Sequence, residues 1–136
     1  MTTTGPAGSA PADVELRIPA DSAYVAVLRT TSAGLAARLD FTLDDIEDLR
    51  MAVGEACALV LPSASEGSDM TCRFYLGNGE LTVVVGVRSA SATPPDPDGF
   101  AWQVLTTLAD AATSSVEDGH FEITLSMHSG VRDVQG

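Results

Sequence analysis

The chain has 136 residues, 45 % of them hydrophobic, which is one domain's length with enough apolar material for a real core. Its formal net charge is −12, from 19 acids against 7 bases, and every base is arginine. A field of that sign argues against nucleic acid and anionic lipid as direct partners and favours a basic partner, unless the acidity serves solubility alone.

No apolar run approaches the length of a membrane span. Residues 1–12 are Thr-, Gly-, Ala- and Pro-rich, with neither a basic start nor an apolar h-region. They read as a flexible N-terminal arm rather than a signal peptide, so a cytoplasmic location is expected. The domain proper is expected over 13–128 and a C-terminal tail over 129–136.

Val14 to Ile18 alternates apolar and polar residues, as a short strand does, and Pro19 ends it. Asp21 or Ser22 can cap a helix running to about Leu39, with Tyr24, Val27, Leu28, Leu35 and Leu39 as its apolar face and Arg29 outside that stripe. Thr42 to Asp45 has the form of a capping box, and Asp44, Asp45, Glu47 and Asp48 suit the positive end of a helix dipole. The second helix should bury Ile46, Leu49, Val53, Ala56, Cys57 and Val60 and stop at Pro62. Glu55 then falls opposite the core stripe, beside Ala52 and Leu59.

Two strands are expected at Met70–Leu76 and Leu81–Val87, joined through Gly77-Asn78-Gly79. The nearly continuous apolar run of the second marks a central strand. Ser89 to Asp98 is a surface loop; Asp98 can cap a third helix from Phe100 to about Ala112, with Val104, Leu105, Leu108 and Ala112 inward. A last hairpin pairs Ser114–Val116 with His120–Met127. The order implies an α+β two-layer sandwich, a mixed, mostly antiparallel sheet with helices on one face. Cys57 and Cys72 belong to no CxxC pair and the two histidines are distant, so no metal site is expected; the thiols are buried and reduced, or form a regulatory disulfide. Trp102 is core or an interface anchor, with core favoured.

Three stretches carry a resemblance: Leu39-Asp40, the run Asp48-Leu-Arg-Met-Ala-Val-Gly-Glu-Ala-Cys57, and Gly99-Phe-Ala-Trp-Gln-Val-Leu-Thr-Thr-Leu-Ala-Asp110. From about Val14 to Met127 the chain resembles the RsbW/SpoIIAB-type anti-sigma factors, serine kinases of the GHKL ATPase superfamily. The last stretch is especially similar to actinobacterial anti-sigma-F-like proteins, and the all-arginine basic set suits a GC-rich genome. The resemblance implies a GHKL (Bergerat-like) fold, and a homodimer. It implies that Glu55 stands at the position of the general base that activates the attacking hydroxyl. An asparagine one turn later normally binds the magnesium of Mg·ATP; here that residue is Leu59. Ser89 stands where an aspartate would bind adenine, within Ser89-Ala90-Ser91-Ala92-Thr93, which has lost the glycines of that motif. Of the glycine pair that cradles phosphate at the third helix, Gly99 alone remains, with Asp96 and Asp98 just before it. Arg29 falls where the family contacts both the sigma factor and its antagonist.

ATP and magnesium are therefore the cofactors that the resemblance allows, while the eroded motifs favour neither being bound. Two functions lead, ahead of a GHKL-like fold that binds some other regulator. One is an anti-sigma factor that sequesters an alternative sigma factor and yields it to a STAS-domain anti-anti-sigma factor. The other is an active ATP-dependent serine kinase acting on that STAS protein.

Overall fold

The computed structural model describes residues 11–130. The expected arm, through residue 10, and residues 131–136 of the expected tail lie outside the described residues. Five strands form one sheet: β1 (Val14–Pro19), β2 (Asp69–Leu76), β3 (Glu80–Arg88), β4 (Ala111–Glu117) and β5 (His120–His128). Among the described residues three full helices accompany them: α1 (Val25–Arg38), α2 (Leu43–Val60) and α3 (Phe100–Leu108). The two-layer α+β architecture is the expected one. The sheet order is β1-β2-β3-β5-β4, and every neighbouring pair is antiparallel, where the sequence suggests a mixed sheet. The β3–α3–β4 crossover skips one position, which β5 fills on its return. The parallel relation of β3 to β4 therefore never becomes a hydrogen-bonded pair.

Alternation sets the two faces. Met70, Cys72 and Phe74 of β2, Leu81, Val83, Val85 and Val87 of β3, and Phe121, Ile123, Leu125 and Met127 of β5 all join the core. Both tight turns use positive φ. Gly79 (φ 72°) closes β2–β3, while Asp118 (φ 51°) and Gly119 (φ 76°) form the two-residue link from β4 to β5. Strand β4 begins at Ala111, so α3 is shorter than its sequence implies and Ala112 belongs to the sheet.

Helix α1 follows a single 3-10 turn, Ser22–Tyr24, capped by the Asp21 carboxylate at 2.9 Å from the Ala23 amide. It buries Val25, Leu28, Ser32 and Ala36, while Tyr24 and Val27 are exposed. The inward face is thus rotated from the expected one. The helix is Ala-, Ser- and Thr-rich, and its contact with α2 selects small residues that a search for large apolar side chains passes over. Its end is a Schellman motif with an aspartate in the left-handed position. Asp40 has φ 64°, Phe41 N–H reaches the Ala36 carbonyl at 3.1 Å, and Phe41 is buried.

Helix α2 is the spine of the helical layer. It packs on α1, on α3, and on β3 and β5 beneath. Leu49, Val53 and Val60 are all 0 % exposed, a burial worth roughly 1.5–3 kcal/mol each. The segment just after β5 is tied to the start of α2. Ser129 Oγ donates to the Asp40 carbonyl at 3.0 Å and Gly130 N–H to Asp45 Oδ2 at 2.7 Å.

Candidate functional site

The capping box that opens α2 is complete. Thr42 Oγ1 accepts from the Asp45 amide at 3.1 Å, and Asp45 Oδ2 accepts from the Thr42 amide at 3.2 Å. Desolvation pushes the Asp45 carboxyl up, but the Gly130 and Thr42 hydrogen bonds outweigh it and hold it below the usual carboxylate range. This anchoring sets the phase of the three turns leading to Glu55.

Glu55 is half-buried rather than on a free outer face. Ala52, one turn before it, is fully buried, and Leu59, one turn after it, packs against the core. Because α1 and α3 flank α2 on both sides, the buried arc is wider than a single stripe. The expected apolar set therefore missed Ala52 and put Ile46, only half-buried, in its place.

Ser89 directly follows β3 and is 3 % exposed. Its amide donates to the Gly119 carbonyl at 2.8 Å, and its Oγ accepts from the Ser91 amide at 3.3 Å. This hydroxyl shapes its own turn. Gly99 is the N-cap of α3 and offers that helix no side-chain cap. Asp98, expected to cap α3, does not. Instead Asp96 Oδ1 accepts from the Asp98 amide at 2.9 Å, and the Asp96 carbonyl accepts from Gly99 N–H at 2.9 Å. An acidic Asx turn thus stands just before α3. A Cβ on Gly99 would sit 3.2 Å from the Asp96 carbonyl oxygen, so Gly99 is small because this turn is tight. Trp102 is partly buried and packs against the core, the favoured of its two readings.

Arg29 projects from α1 across α2. A Cβ at Gly54 would collide with its Nη2 and lie 2.9 Å from its Nε. The guanidinium therefore rests on the helix backbone at the residue before Glu55, in a shallow hollow that Cys57, Ala58 and Leu61 also line. Gly54 escaped the sequence reading, although a glycine inside a strong helical pattern is itself a signal of close approach. Burial pushes the Cys57 thiol up to about 12, against the opposing charge of Arg29. Burial, then the neighbouring Cys57, do the same to Cys72, also to about 12. Both are free thiols.

The residues at this site fit a Mg·ATP complex poorly. Leu59 offers no donor atom and belongs to the apolar packing. The Ser89 hydroxyl accepts from the Ser91 amide, and the Asp96 and Asp98 carboxylates just before α3 would repel a polyphosphate at that helix N-terminus. Among the described residues no three His, Cys, Asp or Glu side chains are grouped to hold a metal ion, and no helix is long and apolar enough to cross a membrane.

Residues 18–127 match the model of the histidine kinase-like ATPase domain. The chain belongs to that family. Among curated proteins, this histidine kinase-like ATPase domain is similar to the serine-protein kinase RsbW of Halalkalibacterium halodurans. The two are 42 % identical over 91 residues, covering 66 % of this chain and 54 % of that protein. RsbW of Bacillus velezensis is 39 % identical over 81 residues, covering 57 % and 51 %. The chain thus spans about half the length of these relatives. Among solved structures, the RsbU and RsbW domains of Rv1364c from Mycobacterium tuberculosis superpose with a TM-score of 0.65 at 15 % identity, over 89 % of this chain and 32 % of that one. That likeness is one of fold. The expected resemblance to RsbW-type proteins is thus met by sequence similarity over about half of those relatives, and the expected fold by the structural likeness.

Proposed function

We propose that this chain is an anti-sigma factor that sequesters an alternative sigma factor, is antagonised by a STAS-domain anti-anti-sigma factor, and has a degenerate nucleotide site. It acts by steric occlusion: an acidic domain, paired with a second copy of itself, covers the sigma factor's polymerase- or DNA-binding surface in the cytoplasm. The observation that carries this reading is Leu59. It packs against the core one turn from Glu55, at the position where the resemblance to RsbW-type kinases calls for a magnesium ligand. Arg29, exposed and seated beside that turn, is the partner-binding residue.

The test is calorimetry with Mg·ATP, then a phosphotransfer assay on a cognate STAS protein and capture of the sigma factor. Sequestration without nucleotide binding supports the proposal. Micromolar Mg·ATP binding with phosphoserine formation overturns the degenerate site, and loss of every sigma factor from the captured fraction overturns sequestration.

One observation favours the alternative, an active serine kinase. Glu55 stands at the position that the resemblance gives to the general base, and its half-buried state leaves the carboxylate open to solvent for that role. The two readings part at Glu55→Ala. A sequestering protein without kinase activity binds and releases its sigma factor as before. A kinase so altered no longer phosphorylates the STAS protein, and its release of the sigma factor changes.

A further inference from the structure

Three of the chain's seven bases lie on the sheet face that carries no helix. Strand register places them. Arg17 on β1 pairs with Thr71 on β2, Thr71 with Gly86 on β3, and Gly86 with Glu122 on β5, a single row across four strands. Arg88 pairs with His120 at the end of β3, and Arg73 rises from β2 on the other side. The middle of the row holds only threonine and glycine, so the face dips there. The result is a hollow of about 510 Å³, within the size range of small-molecule sites.

Its charges are unequal in their commitments. Glu122 leans over Gly86, where a Cβ would lie 3.0 Å from its Cγ, and meets Arg73 with Nη2 to Oε2 at 3.3 Å. That pair is half-buried and mutually satisfied. Arg17 and Arg88 are exposed and form no ion pair with any described residue, which leaves Asp69 as the other carboxylate on the rim. In a chain of net charge −12, two uncommitted guanidiniums and an imidazole around one concavity are a local inversion of sign.

We propose that this hollow binds a small phosphate-bearing anion, held by Arg17 and Arg88 with His120 beside them. The planar fork of donors on arginine matches phosphate oxygens in pairs. A large polyanion meets the field of the whole acidic surface, whereas a small one seated here lies within a Debye length of these guanidiniums. The site is on the opposite face of the sheet from Glu55 and Gly99, and it stands or falls separately from the function proposed above.

Pyrophosphate is the probe, titrated at constant ionic strength into the full chain and followed by amide and arginine side-chain NMR shifts. Saturable shifts at Arg17, Thr71 and Gly86 are expected. R17Q and R88Q should each weaken binding several-fold, and together about tenfold or more, with unchanged melting temperatures. The single variants carry the test if the double variant fails to fold. Absence of saturable shifts, shifts confined to the surroundings of Gly99, or shifts unaltered in the variants would overturn the site. So would a sedimenting wild-type dimer that R17Q or R88Q splits and pyrophosphate does not alter, since the face is then an interface between copies.

Discussion

The guanidinium of Arg29 lies across the backbone at Gly54, in space that any larger residue would take. The contact joins α1 to α2 one residue before Glu55. It leaves Arg29 exposed yet positioned, which is what a partner-reading arginine needs. Exposure alone makes no case for function, but a glycine held open beneath the side chain adds one.

Gly54→Ala separates the two roles of this helix position. Alanine favours the helix by roughly 0.5–1 kcal/mol, and the far end of a flexible side chain can move aside. The melting temperature should hold or rise while affinity for the proposed sigma-factor partner falls. A variant that binds its partner at full strength would show that the seat of Arg29 is irrelevant to recognition.

Arg29→Ala should weaken partner binding and leave the melting temperature nearly unchanged, because the side chain is exposed and has no ion pair among the described residues. Paired thermal melts and titrations check this. A large loss of stability would make Arg29 structural.

Leu59→Asn restores the magnesium-ligand type at its expected position. It removes apolar packing and adds a half-buried amide, a cost of about 1–3 kcal/mol. Mg·ATP binding should still not appear, because Ser89 and the Asp96–Asp98 turn are unchanged. Calorimetry on the folded variant decides it, and binding in the micromolar range would place the defect in Leu59 alone.

The thiols of Cys57 and Cys72 should react with a disulfide reagent only on unfolding, since burial pushes both up to about 12. Both are almost fully protonated in either state at pH about 7 and below. Above the unfolded value of 9.0 the unfolded chain ionises first, so stability should decline as pH rises from 9 toward 12. Denaturant melts across that window, compared with a Cys57→Ala variant, measure the share due to this thiol.

Asp45 works in the opposite sense. Its folded carboxyl is held below its ordinary value of 3.8, so its contribution is present above that pH and is lost as pH falls through the lower folded value. Asp45→Ala should cost about 1 kcal/mol through the capping box and release Gly130. Acid melts of the variant should show a shallower loss of stability below pH 4 than wild type.

What was legible in the sequence was local. The Thr42–Asp45 box, the Gly77–Gly79 turn, the alternation of Phe121 to Met127 and the helical period of α2 are short-range patterns, and each became the element expected. The run around Glu55 likewise identified the family. Tertiary structure alone decided the rest. The insertion of β5 between β3 and β4 is a long-range pairing with no local signature. The inward face of α1 is chosen by its contact with α2, since Val25, Ser32 and Ala36 form no strong apolar stripe. The burial of Ala52 and the half-burial of Glu55 follow from helices on both sides of α2. The hollow between Arg17 and Arg88 exists only because register aligns Thr71 with Gly86. Local chemistry selects each element, while the neighbours of each element are set by contacts far apart in the chain, and both candidate sites on this molecule are built from neighbours.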